Sequence, residues 1–153
     1  MKLEEARRAA REHRDGSGLL ALVPYAAFLG IQLRYEEAAP VLHLPFRTSL
    51  VGNSALPAIH GGVVAGFMES AALLHLLLVL DEDRLPKSID FSLDYLRSAQ
   101  AVDSYAACAV ERLGRRVAQV QVRCWQADPA KPVALARAHF LLAAPAEPAG
   151  ERQ

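Results

Sequence analysis

His60-Gly61-Gly62-Val63-Val64-Ala65-Gly66-Phe67-Met68-Glu69 opens the longest apolar stretch of the chain, which runs from Gly61 to Leu80. The stretch is apolar on nearly every side rather than along one stripe. It therefore predicts a single helix over about 61–80, enclosed by the rest of the domain. Its length would suit a membrane span, but Glu69 at mid-span and His75 beyond it argue against one. The expectation is a soluble, cytoplasmic protein with no membrane partner.

The same stretch carries the chemistry. Two glycines at a helix start let another group come close to bare backbone N–H groups. Those groups have no intrahelical partner and lie at the positive end of the helix dipole. They suit an oxyanion developing on a carbonyl under attack. Glu69 follows two turns later among Phe67, Met68, Leu73 and Leu74, where an unpaired carboxylate is costly to bury. That points to a working base or nucleophile, the alternative being a structural pair with an arginine from a sheet. For His60 a loop-to-helix hydrogen bond and a direct chemical role both stand open. His75, on another face, reads as a core or interface histidine.

Spacing adds a constraint. Gly61 and Glu69 are eight residues apart, roughly 12 Å along a helix rising 1.5 Å per residue. Both cannot touch one carbonyl carbon from the same helix. An antiparallel second copy would set its Glu69 beside the first copy's Gly61, giving two sites across a two-fold axis.

Outward from the helix, residues 3–14 read as a polar helix with Leu3, Ala6, Ala9 and Ala10 on one face, and Asp15-Gly16-Ser17-Gly18 breaks it. Leu19 to Val23 reads as a short apolar turn ended by Pro24. Ile31–Glu36 and Val41–Phe46 read as strands joined at Ala38–Pro40, and residues 47–59 as a loop. Beyond Pro86, four strands are expected at Ile89–Tyr95, Tyr105–Arg112, Val117–Gln126 and Val133–Leu142. In the third, Ala118, Val120, Val122 and Cys124 alternate with Gln119, Gln121 and Arg123, the period of a half-buried antiparallel strand. Turns fall at Leu113–Arg115 and Asp128–Pro132. The expected divisions are an N-terminal helix and break over 1–18, one domain over 19–143 and a flexible tail over 144–153. Strands meandering around one apolar helix make an α+β domain with the sheet wrapped over the helix.

Composition sets outer limits. The chain has 153 residues, 52% of them hydrophobic and 22% charged, enough for one real core. Its 17 basic and 17 acidic residues cancel, so no global field draws it to nucleic acid. Cys108 and Cys124 are the only cysteines. They make no metal-binding pattern and read as buried thiols of a reduced compartment. The charged N-terminus has no signal-peptide apolar region. No metal and no cofactor is expected.

At these residues the sequence resembles the PaaI-type acyl-CoA thioesterases of the hotdog superfamily. The resemblance is carried by His60-Gly61-Gly62 with an acid nine positions after the histidine. It extends to Ile89-Asp90-Phe91-Ser92-Leu93-Asp94-Tyr95-Leu96-Arg97 with Asp103-Ser104-Tyr105-Ala106, and to Gly114-Arg115-Arg116-Val117 leading to Trp125-Gln126. It covers roughly residues 20–143. It implies a hotdog fold, a homodimer or dimer of dimers, and hydrolysis of an acyl-CoA, medium-chain or aryl, to the acid and free CoA. It further implies that Gly61 polarises the thioester carbonyl and that Glu69 of the opposite subunit is nucleophile or general base. His60 would orient the loop or contact the thioester, with Gly62 and Ser70 beside the substrate. Arg97, Arg115 and Arg116 are candidates for the CoA phosphates. Two positions depart from the pattern. Many members carry Asn or Gln six residues before the histidine, where Ser54 stands here; Asn53, one earlier, is the catalytic candidate for that place if the loop is one residue longer. Some carry Ser or Thr four after the acid, where Leu73 stands. These departures leave a non-catalytic acyl-CoA-binding protein as the alternative. A hotdog dehydratase would need a second acid–base pair, and none is evident.

Overall fold

The computed structural model describes residues 2–81 and 83–143. The expected flexible tail lies outside the described residues. Helix α1 (Leu3–His13) begins with the Lys2 N–H donating to the Glu5 carboxylate. It carries acids in its first turn and Arg11 and His13 in its last, matching the helix dipole. Ala6, Arg7 and Ala10 form its buried face. The expected turn at Leu19–Val23 is instead the end of a short helix, α2 (Ser17–Ala21), and its link to a second one, α3 (Pro24–Leu29). Pro24 opens the second, where its missing N–H costs nothing, and Gly30 ends it at φ 77°.

Strands β1 (Gln32–Glu36) and β2 (Ala39–Leu44) form a hairpin whose turn lies at Glu37 and Ala38, with Glu37 at φ 56°. Pro40 thus falls inside β2 rather than in the turn. It is tolerated because β2 pairs with its inner neighbour only over Leu42–Leu44. The expected 47–59 loop is a short 3-10 turn, Thr48–Leu50, followed by a second hairpin of β3 (Val51–Asn53) and β4 (Leu56–Ile59). Helix α4 (Gly61–Val79) comes next, then β5 (Leu85–Tyr95), β6 (Ser104–Leu113), β7 (Val117–Trp125) and β8 (Ala134–Ala143).

The main sheet has six antiparallel strands in the order β1-β2-β6-β7-β8-β5. It wraps over α4, which packs against β2, β5, β6, β7 and β8. This is the hotdog arrangement. The alternation expected in β7 holds, since Ala118, Val120, Val122 and Cys124 are all buried. Alanines are frequent on the concave side, with Ala106, Ala118 and Ala138 fully buried. Their small side chains leave room for Phe67, Met68 and Leu76 of α4, each 0% exposed. So the helix that is long and apolar enough to cross a membrane is the core of this domain.

Two devices hold the ends of this frame. Arg7 Nε donates to the Leu77 carbonyl at 2.8 Å and Arg11 Nε to the Leu78 carbonyl at 2.7 Å, so α1 caps the C-terminus of α4. Beneath the sheet's other end, buried His43 contacts Asp103 Oδ2 through Nε2 at 2.8 Å and stacks on Tyr105. Asp103 Oδ1 accepts the Phe46 N–H at 2.7 Å. That backbone bond first, and His43 second, hold the Asp103 carboxyl below the usual carboxylate range.

Candidate active site

The start of α4 is fixed from both sides. The Ile59 N–H donates to the Ala99 carbonyl at 2.9 Å and the His60 N–H to the Leu50 carbonyl at 2.8 Å. His60 is the N-cap, and its Nδ1 accepts the Gly62 N–H at 2.8 Å. That contact puts the ring proton of neutral His60 on Nε2, at the exposed edge. It also corrects the expectation for Gly62, whose N–H is spent on the cap. Among the described residues none accepts from the Gly61 N–H. The helix therefore presents one open donor at its start rather than two.

Tyr95, at the end of β5, was not among the residues singled out from sequence. Its hydroxyl donates to the Gly61 carbonyl at 2.7 Å. A Cβ at position 61 would lie 3.1 Å from that oxygen, so the phenol approaches this peptide closely because residue 61 is glycine. Gly61, Tyr95 and Arg97 share a surface cleft of about 300 Å³. Arg97 is exposed and its backbone N–H bonds the Val133 carbonyl at 3.2 Å. Here the structure brings two of the expected residues together.

Glu69 departs from expectation in one respect. It is half-buried rather than enclosed, because it faces away from the sheet-packed side where Phe67 and Met68 lie. No arginine or other donor bonds its carboxylate among the described residues, so the structural-pair alternative fails there. Glu69 opens onto a pocket of about 230 Å³, lined by Val23, Tyr25, Gly66, Ser70, Leu73, Ser88 and Phe140. Ser70 is therefore beside Glu69 as expected, and Leu73 stands one turn on. The Glu69 pocket and the Gly61 cleft are separate within one chain, in line with the roughly 12 Å of helix between them.

Other expected residues fall elsewhere. Asn53 Oδ1 accepts the Ala55 N–H at 3.0 Å, which makes Asn53 the residue that closes the β3–β4 turn. It stays at the hairpin tip and does not join Gly61. Arg115 and Arg116 sit at the β6–β7 turn, in a cleft with Arg112 and His139. Val117 marks that end of β7 and Cys124 the end beside Val133. Seven steps of strand, about 23 Å, separate the two. Within one chain the arginine pair and Arg97 do not share a site. His75 is buried as expected, and its Nδ1 has no partner among the described residues. Burial pushes its pKa down, toward the neutral ring. Cys124 is buried and Cys108 half-buried, and burial pushes both thiols up to about 12. Among the described residues no cluster of His, Cys, Asp or Glu could hold a metal.

Comparison with known proteins agrees with this geometry. A sequence model of the thioesterase superfamily matches residues 56–133. The chain belongs to the thioesterase superfamily. The matched span of this thioesterase holds α4, with Gly61 and Glu69, but neither α1, α2 nor α3. It is a thioester hydrolase with the hotdog fold. It is 32% identical over 120 residues to a medium/long-chain acyl-CoA thioesterase, YigI, of Salmonella typhimurium, covering 69% of this chain and 77% of the relative. A solved structure from Chromobacterium violaceum is 38% identical with a TM-score of 0.72, covering 91% of this chain and 97% of that one. A phenylacetic acid degradation-related protein from Ralstonia eutropha shares the fold at 21% identity and a TM-score of 0.71, covering 87% of this chain and 98% of that one.

Proposed function

We propose that this thioesterase hydrolyses medium-chain or aryl acyl-CoA thioesters to the acid and free CoA, at sites formed between two copies of the chain. One observation carries the reading. Gly61 offers an open N–H and Glu69 an unpaired carboxylate, on one helix but too far apart to share a carbonyl. Two helices side by side and antiparallel bring one copy's Gly61 to the other's Glu69. The sheet supports a second copy as well, since its edge strand β5 is eleven residues long and exposes Leu85 and Ile89. A long edge with unpaired backbone groups calls for a cover. The name of the Salmonella relative supports the medium-chain half of the reading.

The Gly61 N–H receives the thioester oxygen as it gains negative charge, aided by the helix dipole. Glu69 acts on the carbonyl carbon in one of two ways. As general base it takes a proton from water while the water oxygen bonds to carbon. As nucleophile its own oxygen bonds first, and water then opens the resulting anhydride. In both, the C–S bond breaks, CoA leaves as thiolate and is reprotonated, and one water is consumed. The His60 Nε2–H lies at the rim and orients the approach. Arg97, in the Gly61 cleft, receives a CoA phosphate. Arg115 and Arg116 reach the same CoA only from the second copy.

Thiol release from a panel of acyl-CoA esters tests this, with wild type and Glu69→Gln measured together. The substitution keeps shape and removes the base, so loss of about a hundredfold or more is expected. Undiminished turnover by Glu69→Gln would refute the assignment. A second reading, acyl-CoA binding without turnover, is favoured by Leu73 where a hydroxyl could align water, and by Asn53 being tied into its turn. Calorimetric binding of acyl-CoA with no thiol released by wild type would establish it.

A further inference from the structure

The Glu69 pocket has a wall that the family match does not reach. Tyr25, the second residue of α3, lies outside residues 56–133. Its ring closes against α4 at Gly66, where a Cβ would meet the hydroxyl oxygen at 2.8 Å and the ring's Cε1 at 3.0 Å. A glycine inside a helix costs about 1 kcal/mol relative to alanine. Here it opens the notch into which the tyrosine fits, one turn before Glu69. From outside, the ring is backed by Phe28, with centroids 6.1 Å apart, and Phe28 is covered by Arg47. Arg47 Nη2 donates to the Phe28 carbonyl at 2.7 Å, which fixes α3 in place. The pocket's other walls include Val23, Leu73 and buried Phe140. Ser70, Ser88 and Glu69 complete a lining that is otherwise apolar and suits a hydrocarbon chain rather than a nucleotide or a phosphate.

We infer that Tyr25 is the residue that sets how long an acyl chain this enzyme accepts. The inference rests on the proposed hydrolysis at Glu69. A thioester whose carbonyl carbon is in reach of Glu69 has its acyl chain starting in this pocket. The Tyr25 ring, seated on Gly66, ends the space on that side. Because the Tyr25 side is half-exposed, at 49%, the wall can be moved without emptying the core.

The experiment measures kcat/KM for saturated acyl-CoA esters from hexanoyl to palmitoyl, using wild type, Tyr25→Ala, Tyr25→Trp, Tyr25→Phe and Glu69→Gln. The readout is the ratio of a long to a short ester within one preparation, which cancels any loss of folded protein. Each methylene newly admitted to the apolar pocket is expected to change the ratio about fourfold. Tyr25→Ala should therefore raise the long-to-short ratio tenfold or more, Tyr25→Trp should lower it, and Tyr25→Phe should leave it unchanged. An unchanged ratio in both the alanine and tryptophan variants overturns the inference. So does a shift in Tyr25→Phe equal to that of Tyr25→Ala, which would assign selection to the hydroxyl. Glu69→Gln separates the two levels. If it is inactive while the Tyr25 ratios stay flat, only the wall is wrong. If it is fully active, the reading of the site itself is wrong.

Discussion

Replacing Arg7 by alanine should destabilise the protein by about 2 kcal/mol, although Arg7 lies far from the proposed chemistry. An α-helix ends with carbonyls that have no intrahelical donor. In α4 the Leu76 carbonyl is still met by the Leu80 N–H at 2.9 Å. The Leu77 and Leu78 carbonyls are met instead by Arg7 and Arg11. The Arg7 side is only 4% exposed, so water cannot readily take its place. A hydrogen bond from a charged donor contributes about 1.5–3 kcal/mol, and a buried carbonyl left bare forfeits a similar amount rather than an additional one. Against this stands the cost of burying the guanidinium, which pulls the Arg7 pKa down, with Arg11 adding repulsion. The balance is about 2 kcal/mol, or roughly 4–8 °C in Tm for a domain of this size. Thermal unfolding at neutral pH measures it. Asp81→Ala serves as control, because its bridge to Arg11 is solvent-exposed and such pairs contribute little. An Arg7→Ala protein melting within a degree of wild type would refute the idea that α1 anchors α4.

Other consequences are open to measurement. His60→Ala removes the acceptor of the Gly62 N–H and should cost about 1 kcal/mol in urea unfolding, whereas His60→Asn, itself a good N-cap, should recover most of it. The Asp103 carboxyl has its pKa lowered on folding, so its contribution is present above the unfolded value near 4 and is lost as pH falls below it. Asp103→Asn should accordingly flatten the acid limb of a Tm-against-pH curve, lowering Tm above about pH 5 and changing it little near pH 2. Cys108 and Cys124, with thiols pushed up to about 12, should react slowly with a disulfide reagent at pH 8. A fast two-thiol burst from native protein would show the β6–β7 layer to be looser than described.

The central helix and the four strands after it were legible because their signals are local. Burial on all sides erases amphipathicity, and Gly61–Val79 shows that directly. Strands that face a core on one side alternate, as β7 and β8 do. The N-terminal third was harder to read because its elements are short. Five residues of α2 and six of α3 leave no room for a helical period. Their stability comes from packing Leu19, Ala26 and Leu29 into the core, which propensity does not report. The β3–β4 hairpin hid for a related reason. Its strands are three and four residues long, and the Asn53 turn that joins them resembles any polar loop.

The site was legible along the helix and illegible across it. His60, Gly61 and Glu69 are related by helical spacing, so their distances follow from counting. What closes on them from elsewhere does not follow that way. Tyr95 reaches Gly61 from 34 positions along the chain, and Tyr25 reaches Gly66 from another helix. The sequence did hold a trace of both. Gly61 and Gly66 are each helical glycines that an isolated helix would do better without, and each turns out to be where a tyrosine hydroxyl lies too close for comfortable placement of a Cβ. Glycines in an otherwise apolar buried helix therefore mark where a neighbour must approach. At Gly61 the neighbour holds the carbonyl of the residue whose N–H is proposed to receive the thioester oxygen, and at Gly66 it closes the pocket beside the acid. The same missing Cβ thus serves the polar end of the site and the apolar end, and a methyl at either position should disturb a different step: Gly61→Ala chiefly kcat, through the displaced peptide, and Gly66→Ala chiefly the chain-length profile, through the displaced ring. Equal effects of both variants on every ester would contradict that division.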